Sequence, residues 1–152
     1  MKLDQAMRQT IERSVLCWLA SVDAEGNPNV SPKEVFCDFE DELLVAHVAS
    51  PGTARNLSTR PQVCVSMVDV FVQKGYKFRG TATVLKRNHP DFEPRHDRLA
   101  ALAGPDFPIA AVIQIELTAV EPILAPRYRL FPDTTEAQQV ASAMETYGVR
   151  PA

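Results

Sequence analysis

The segment from Leu43 to Leu57, LLVAHVASPGTARNL, restricts the possible folds of this chain more than any other. Leu43, Leu44, Val45, Ala46, Val48 and Ala49 form an apolar run broken only by His47, and its length suits a core strand. Ser50 then suits an N-cap, Pro51 the first helical position, and Gly52 a place where a ligand can come close to the backbone. A buried strand is therefore expected to run straight into a helix. A helix start offers unpaired N–H groups and the positive end of the dipole, so an anion there would meet the Thr53 hydroxyl, backbone donors and the Arg55 guanidinium. The same pattern equally describes an ordinary capped helix with a surface threonine and arginine.

On either side the periodicity is that of short strands joined by hairpins. Leu3, Met7 and Ile11 make one stripe of an amphipathic helix over Leu3 to Arg13. Val15 to Val22 reads as a strand, Asp23 to Pro28 as a turn, and Asn29 to Phe36 as the returning strand, interrupted by Pro32. An acidic turn over Asp38 to Glu42 leads into the strand from Leu43. The helix from Ser50 to about Thr59 stops before Pro61. Strands follow over Val63 to Val72 and Tyr76 to Leu85, then a helical stretch within Asn88 to Gly104. Ala110 to Ile123 is the last strand, with Ile113, Ile115, Leu117 and Ala119 expected on one face, and a final helix lies near Thr135 to Thr146. No repeat, low-complexity tract or linker divides the chain, so residues 1–152 read as one domain, with 1–13 an N-terminal helix and 126–152 a C-terminal tail and helix. Six or more strands without βαβ alternation predict a mainly β fold, a six-stranded antiparallel Greek-key barrel with inserted helices.

Charge and cysteine usage narrow the function classes. A net charge of -3 over 152 residues provides no overall basic surface, so nucleic acid is not an expected partner. No apolar run reaches the length of a membrane helix, and the N-terminal segment carries acids and lacks the apolar core of a signal peptide. Cys17, Cys37 and Cys64 stand singly in apolar runs without CxxC spacing, which predicts buried reduced thiols, no metal site and a cytoplasmic location. No Ser-His-Asp arrangement, paired carboxylates or Walker-type loop emerges, so any catalysis would belong to a cofactor. Lys33, in the middle of VSPKEV, requires a ligand, Glu34 or solvent beside it, and His47 is either a satisfied core histidine or a contact to a flavin or substrate.

Three segments together, NPNVSPKEVF at 27–36, ASPGTARNL at 49–57 and KGYKFRGTA at 74–82, resemble the FMN-binding split-barrel proteins related to pyridoxamine 5'-phosphate oxidase. The resemblance covers Ser14 to Leu124 and implies a homodimer whose subunits pack face to face with FMN in the shared clefts. By position, Val30, Ser31, Pro32 and Lys33 would lie along the isoalloxazine ring. His47, Val48, Ala49 and Ser50 would run beside the ribityl chain, and Thr53, Arg55 and Asn56 would bind the phosphate. Gln73 and Lys74 would come from the neighbouring strand pair, of this subunit or its partner. The pyridoxamine-phosphate oxidases carry a Ser-Arg-Lys run at this helix start and an arginine in the second strand, where this chain has Ser50-Pro51-Gly52-Thr53 and Ser31. Its only tryptophan, Trp18, is not in a C-terminal substrate motif. The implied activity is thus a flavin oxidoreductase working between a nicotinamide-type donor and a small acceptor. The alternatives are a non-catalytic flavin or electron-transfer module, or a split barrel using haem or a deazaflavin.

Overall fold

The computed structural model describes residues 1–151. Its seven strands form one sheet in the order β2-β1-β5-β6-β7-β4-β3, every neighbouring pair antiparallel. They are β1 (Cys17–Val22), β2 (Pro28–Lys33), β3 (Phe36–Phe39), β4 (Glu42–His47), β5 (Gln62–Asp69), β6 (Lys74–Leu85) and β7 (Ala111–Leu124). β2 and β3 are the two edges of the sheet, yet only Glu34 and Val35 separate them along the chain. A corner that short forces the sheet to curl until its edges meet, which makes a split barrel. The Ala46 amide donates to the Val35 carbonyl at 2.9 Å and holds the corner against β4.

The inside of the curl is filled by Leu19, Val45, Val65, Phe78, Ile113 and Ile115, all fully buried. Helix α1 (Gln5–Arg13) closes this core with Ile11 and is capped by Asp4, which accepts from the Met7 amide at 2.8 Å. A second cluster, including Leu44, Leu85, Phe92, Leu99 and Val112, lies under α3 (Phe92–Ala103). The alternating apolar residues of β4 explain both clusters, since Leu43 and Val45 face one and Leu44 and Ala46 the other. Helix α2 (Pro51–Thr59) links β4 to β5 as expected. The tail forms α4 (Pro126–Leu130) and α5 (Glu136–Tyr147), the latter opened by a Thr135–Gln138 capping box.

Two expectations change in detail. The returning strand does not run from Asn29 to Phe36: it breaks at Glu34–Val35, and Phe36 starts a separate strand paired with Val45, which raises the strand count from six to seven. Pro32 stays within β2, opposite Trp18, because an edge strand can spare its N–H. The β6–β7 ladder slips between Arg79 and Gly80, so Gly80 pairs with Leu117 while Arg79 pairs with Ala119. The extra residue, Thr118, reverses the facing of the rest of β7, and Val120 rather than Ala119 packs on the core. Gly80 is required there, since a Cβ would stand 2.4 Å from the Glu116 carbonyl oxygen. No helix among the described residues is long and apolar enough to cross a membrane.

Candidate functional site

The end of β2, the end of β4 and the start of α2 converge at one end of the curled sheet. Alternation along β2 turns Ser31 and Lys33 towards α2 and leaves Val30 and Pro32 exposed. Lys33 is only 6% exposed, and its ammonium donates to Ser50 Oγ at 2.7 Å. Among the described residues no carboxylate pairs with it. Burial pushes the Lys33 amine below its ordinary value. Its cross-strand neighbour Cys17 offers no compensation at neutral pH, because burial pushes that thiol up to about 12. His47 is lowered as well, first by burial and then by the Lys33 charge, which keeps the imidazole neutral, and its Nδ1 is buried without a partner.

Ser50 occupies the N-cap position of α2 but its side chain does not cap the helix. Its hydroxyl is held by Lys33 instead. The amides of Gly52 and Thr53 belong to the first turn, which has no intrahelical acceptor, and the space in front of Gly52 is open: a Cβ there would meet nothing within 4 Å. The hydroxyls of Ser31 and Thr53 lie 3.3 Å apart. Deeper in the helix, Asn56 donates to Ser21 Oγ at 3.0 Å, a buried bond that pins α2 to β1. A cleft of about 160 Å3 opens between Lys33 and the exposed Val48–Ala49 stretch, with Phe107 on its far wall.

The structure thus brings Ser31, Lys33, His47, Ser50 and Thr53 together. Asn56 lies beneath them facing β1, and Arg55 is exposed and makes no ion pair among the described residues. Gln73 and Lys74 are not part of this cluster within one chain, since β1 and β5 lie between β2 and β6. Gln73 takes a left-handed conformation in the turn, with φ 56°. Lys74 binds Glu136 at 2.7 Å and sits over the Tyr128 ring. Sequence reasoning misses Ser21 and Phe107; the inward period of β1 marks Ser21 as a polar residue on a core face, whereas nothing local marks Phe107.

An anion fits this arrangement. A buried ammonium uses one donor on a neutral hydroxyl, two others are free, and a helix start points open N–H groups at the same space. Cavity and donors suit a phosphate end rather than a metal, and no cluster of three or more metal-ligating side chains exists among the described residues.

Comparison with known proteins identifies the family of this fold. Residues 3–123 match the family model described as pyridoxamine 5'-phosphate oxidase. The haem oxygenase HutZ of Vibrio cholerae is 30% identical over 95 residues, covering 57% of this chain and 53% of that protein, so the chain spans about half the length of this curated relative. A solved structure of a putative pyridoxamine 5'-phosphate oxidase from Lactobacillus delbrueckii superposes with TM-score 0.64 at 25% identity, covering 79% of this chain and 93% of that one. An FMN-binding protein from Syntrophomonas wolfei shares the fold with TM-score 0.65 at 16% identity, over 78% of this chain and 84% of that one. The chain belongs to the pyridoxamine 5'-phosphate oxidase family.

Proposed function

We propose that this member of the pyridoxamine 5'-phosphate oxidase family is an FMN-binding flavoprotein that passes reducing equivalents between a nicotinamide-type donor and a small acceptor. The observation that carries this reading is Lys33, buried beside an uncapped helix start with no carboxylate to neutralise it. An unpaired buried charge is destabilising, so a dianionic phosphate that accepts from Lys33, Ser50 and the first amides of α2 would offset a cost already present in the fold. FMN when bound supplies the two-electron chemistry. The chain supplies position: Lys33 and α2 fix the phosphate end, Pro32 and the Val48–Ala49 backbone border the cleft, and neutral His47 adds an imidazole without adding charge. Pyridoxamine phosphate is not the substrate we propose, because the second strand carries Ser31 in place of arginine and Trp18 lies in β1.

The working unit in this reading is a homodimer. Val15, Leu16, Trp18, Val70 and Phe71 expose a continuous apolar groove on the β1–β5 side, and a second copy would cover it and bring its own Gln73 and Lys74 towards the cleft. A cytoplasmic location suits the three free cysteines.

A haem-binding reading is favoured by the identity to the Vibrio cholerae haem oxygenase. Absorption separates the two. Purified protein showing oxidised-flavin bands that bleach anaerobically with a reduced nicotinamide supports the flavoprotein. A Soret band, with no saturable FMN binding, overturns it in favour of haem.

A further inference from the structure

A cavity of about 660 Å3 shares the Glu34–Val35 corner with the Lys33 cleft. Its volume falls within the range of roughly 300–1,000 Å3 common to small-molecule sites. Three elements wall it: the last turn of α1, strand β3 and the middle of α3. Its charged groups divide into two sets. Arg8 is committed to Asp38 and Asp41. Arg13 and Glu12 from α1, Glu34 from the corner and Arg98 from α3 make no ion pair among the described residues. Two guanidiniums without a carboxylate partner therefore stand on separate walls, Arg13 on α1 and Arg98, beside the Cys37 thiol, on α3, with two unpaired carboxylates near them.

That mixture discriminates among ligands. A simple dicarboxylate or free phosphate would be drawn by the arginines and opposed by the glutamates, and a cationic ligand would meet the reverse. A dinucleotide satisfies both sets, because its diphosphate accepts from guanidiniums and its ribose diols donate to carboxylates. Val35 and Leu102 add apolar surface for a base. The 2'-phosphate of NADPH would need a further free cation, which Arg8 cannot provide while held by two aspartates.

We propose that this cavity is the docking site of NADH, with Arg13 and Arg98 on the diphosphate and Glu12 and Glu34 on ribose hydroxyls. The assignment rests on the flavoprotein reading and names the donor's site.

The test is calorimetric titration of the purified flavin-loaded protein with NAD+, a probe that cannot reduce the flavin. Saturable binding is expected, and Arg13→Gln and Arg98→Gln should each weaken it by about tenfold or more, as loss of a charge-assisted contact requires. Melting temperature and FMN affinity should stay at wild-type values, since both arginines are exposed and neither lines the Lys33 cleft. NADP+ should bind more weakly than NAD+, and Glu34→Gln should narrow that preference. No NAD+ binding at millimolar concentration, equal affinity in the arginine variants, or NADP+ binding as tightly as NAD+ would overturn the proposal. Arginine-dependent NAD+ binding in a chain that takes up no FMN would uphold the pocket and reject the flavin reading alone.

Discussion

Lys33 is the residue whose energetics most clearly connect fold and function. In the ligand-free chain its ammonium is desolvated for a single bond to Ser50, so Lys33→Met is expected to stabilise that state by about 1–3 kcal/mol. The pH dependence has a definite sign. Burial lowers the amine in the folded state below the ordinary 10.5, so the unfolded chain binds more protons between the two values and wild-type stability rises with pH across that window. The advantage of the methionine variant should therefore be largest at neutral pH and shrink towards 10.5, as urea denaturation at the two conditions will read. The same variant should weaken FMN by roughly tenfold or more and leave riboflavin, which lacks the phosphate, unaffected. Equal loss of both ligands would mean damage to the cleft rather than loss of a phosphate contact. Arg55→Ala makes the control, because an exposed guanidinium is screened and should contribute less. The thiols give a second prediction at this scale. Burial pushes Cys17 up to about 12 and Cys37 up to about 11, while Cys64, expected to be buried, is partly exposed on β5. A thiol reagent on the native protein should modify Cys64 first. Fast labelling of Cys17 would show that β1 opens far more readily than its packing implies.

Helices are fastened to the curled sheet by a few buried polar contacts, and these are where element-scale predictions belong. Glu42 at the start of β4 accepts from Arg95 Nε at 3.2 Å and Nη2 at 2.9 Å, and from Gln114 at 2.6 Å, while the guanidinium lies over the Phe39 ring. The two ionic side chains are 11% and 21% exposed, so solvent screens the pair little. Arg95→Ala should cost about 2–4 kcal/mol by chemical denaturation, more than an ordinary surface pair, because it also strands a half-buried carboxylate. A change within about 0.5 kcal/mol would show that α3 is held by Phe92 and Leu99 alone. The strand-to-helix passage from Leu43 to Thr59 was legible in the sequence, since an apolar run followed by Ser-Pro-Gly leaves local chemistry few other solutions. The corner at Glu34–Val35 was not, because VSPKEVF contains no glycine or turn pair and only closure of the sheet decides where it bends. The slip at Arg79–Gly80 escaped for a related reason: residues 113 to 119 keep an even alternation, and nothing local marks Thr118 as the residue that β7 leaves unpaired. For the site, each residue type was readable, yet the bonds from Lys33 to Ser50 and from Asn56 to Ser21 span turns of the fold that periodicity does not see.

At the scale of the whole molecule, one face remains unexplained by a single chain. Val15 is 84% exposed, Trp18 47% and Val70 53%, and with Phe71 they border an apolar groove of about 500 Å3. Such a surface is poorly suited to standing in water, and it adjoins the strand that carries Lys33, since Trp18 pairs with Pro32 across β1 and β2. Association through it would join two copies about a twofold axis and close the outer side of both clefts, with a stable interface burying on the order of 2,000 Å2. Trp18→Asp places a charge at the centre of that face without touching the buried side of β1, where Cys17 and Leu19 lie. The expected outcome in sedimentation is a wild-type dimer and a folded monomeric variant at micromolar concentration. FMN should be lost together with the dimer, because each cleft would then open to solvent and lack the partner's Gln73 and Lys74. A wild-type chain that sediments as a monomer while retaining flavin would break the link between assembly and cofactor, and the site would have to be complete within the Lys33, Ser50 and α2 cluster of one subunit.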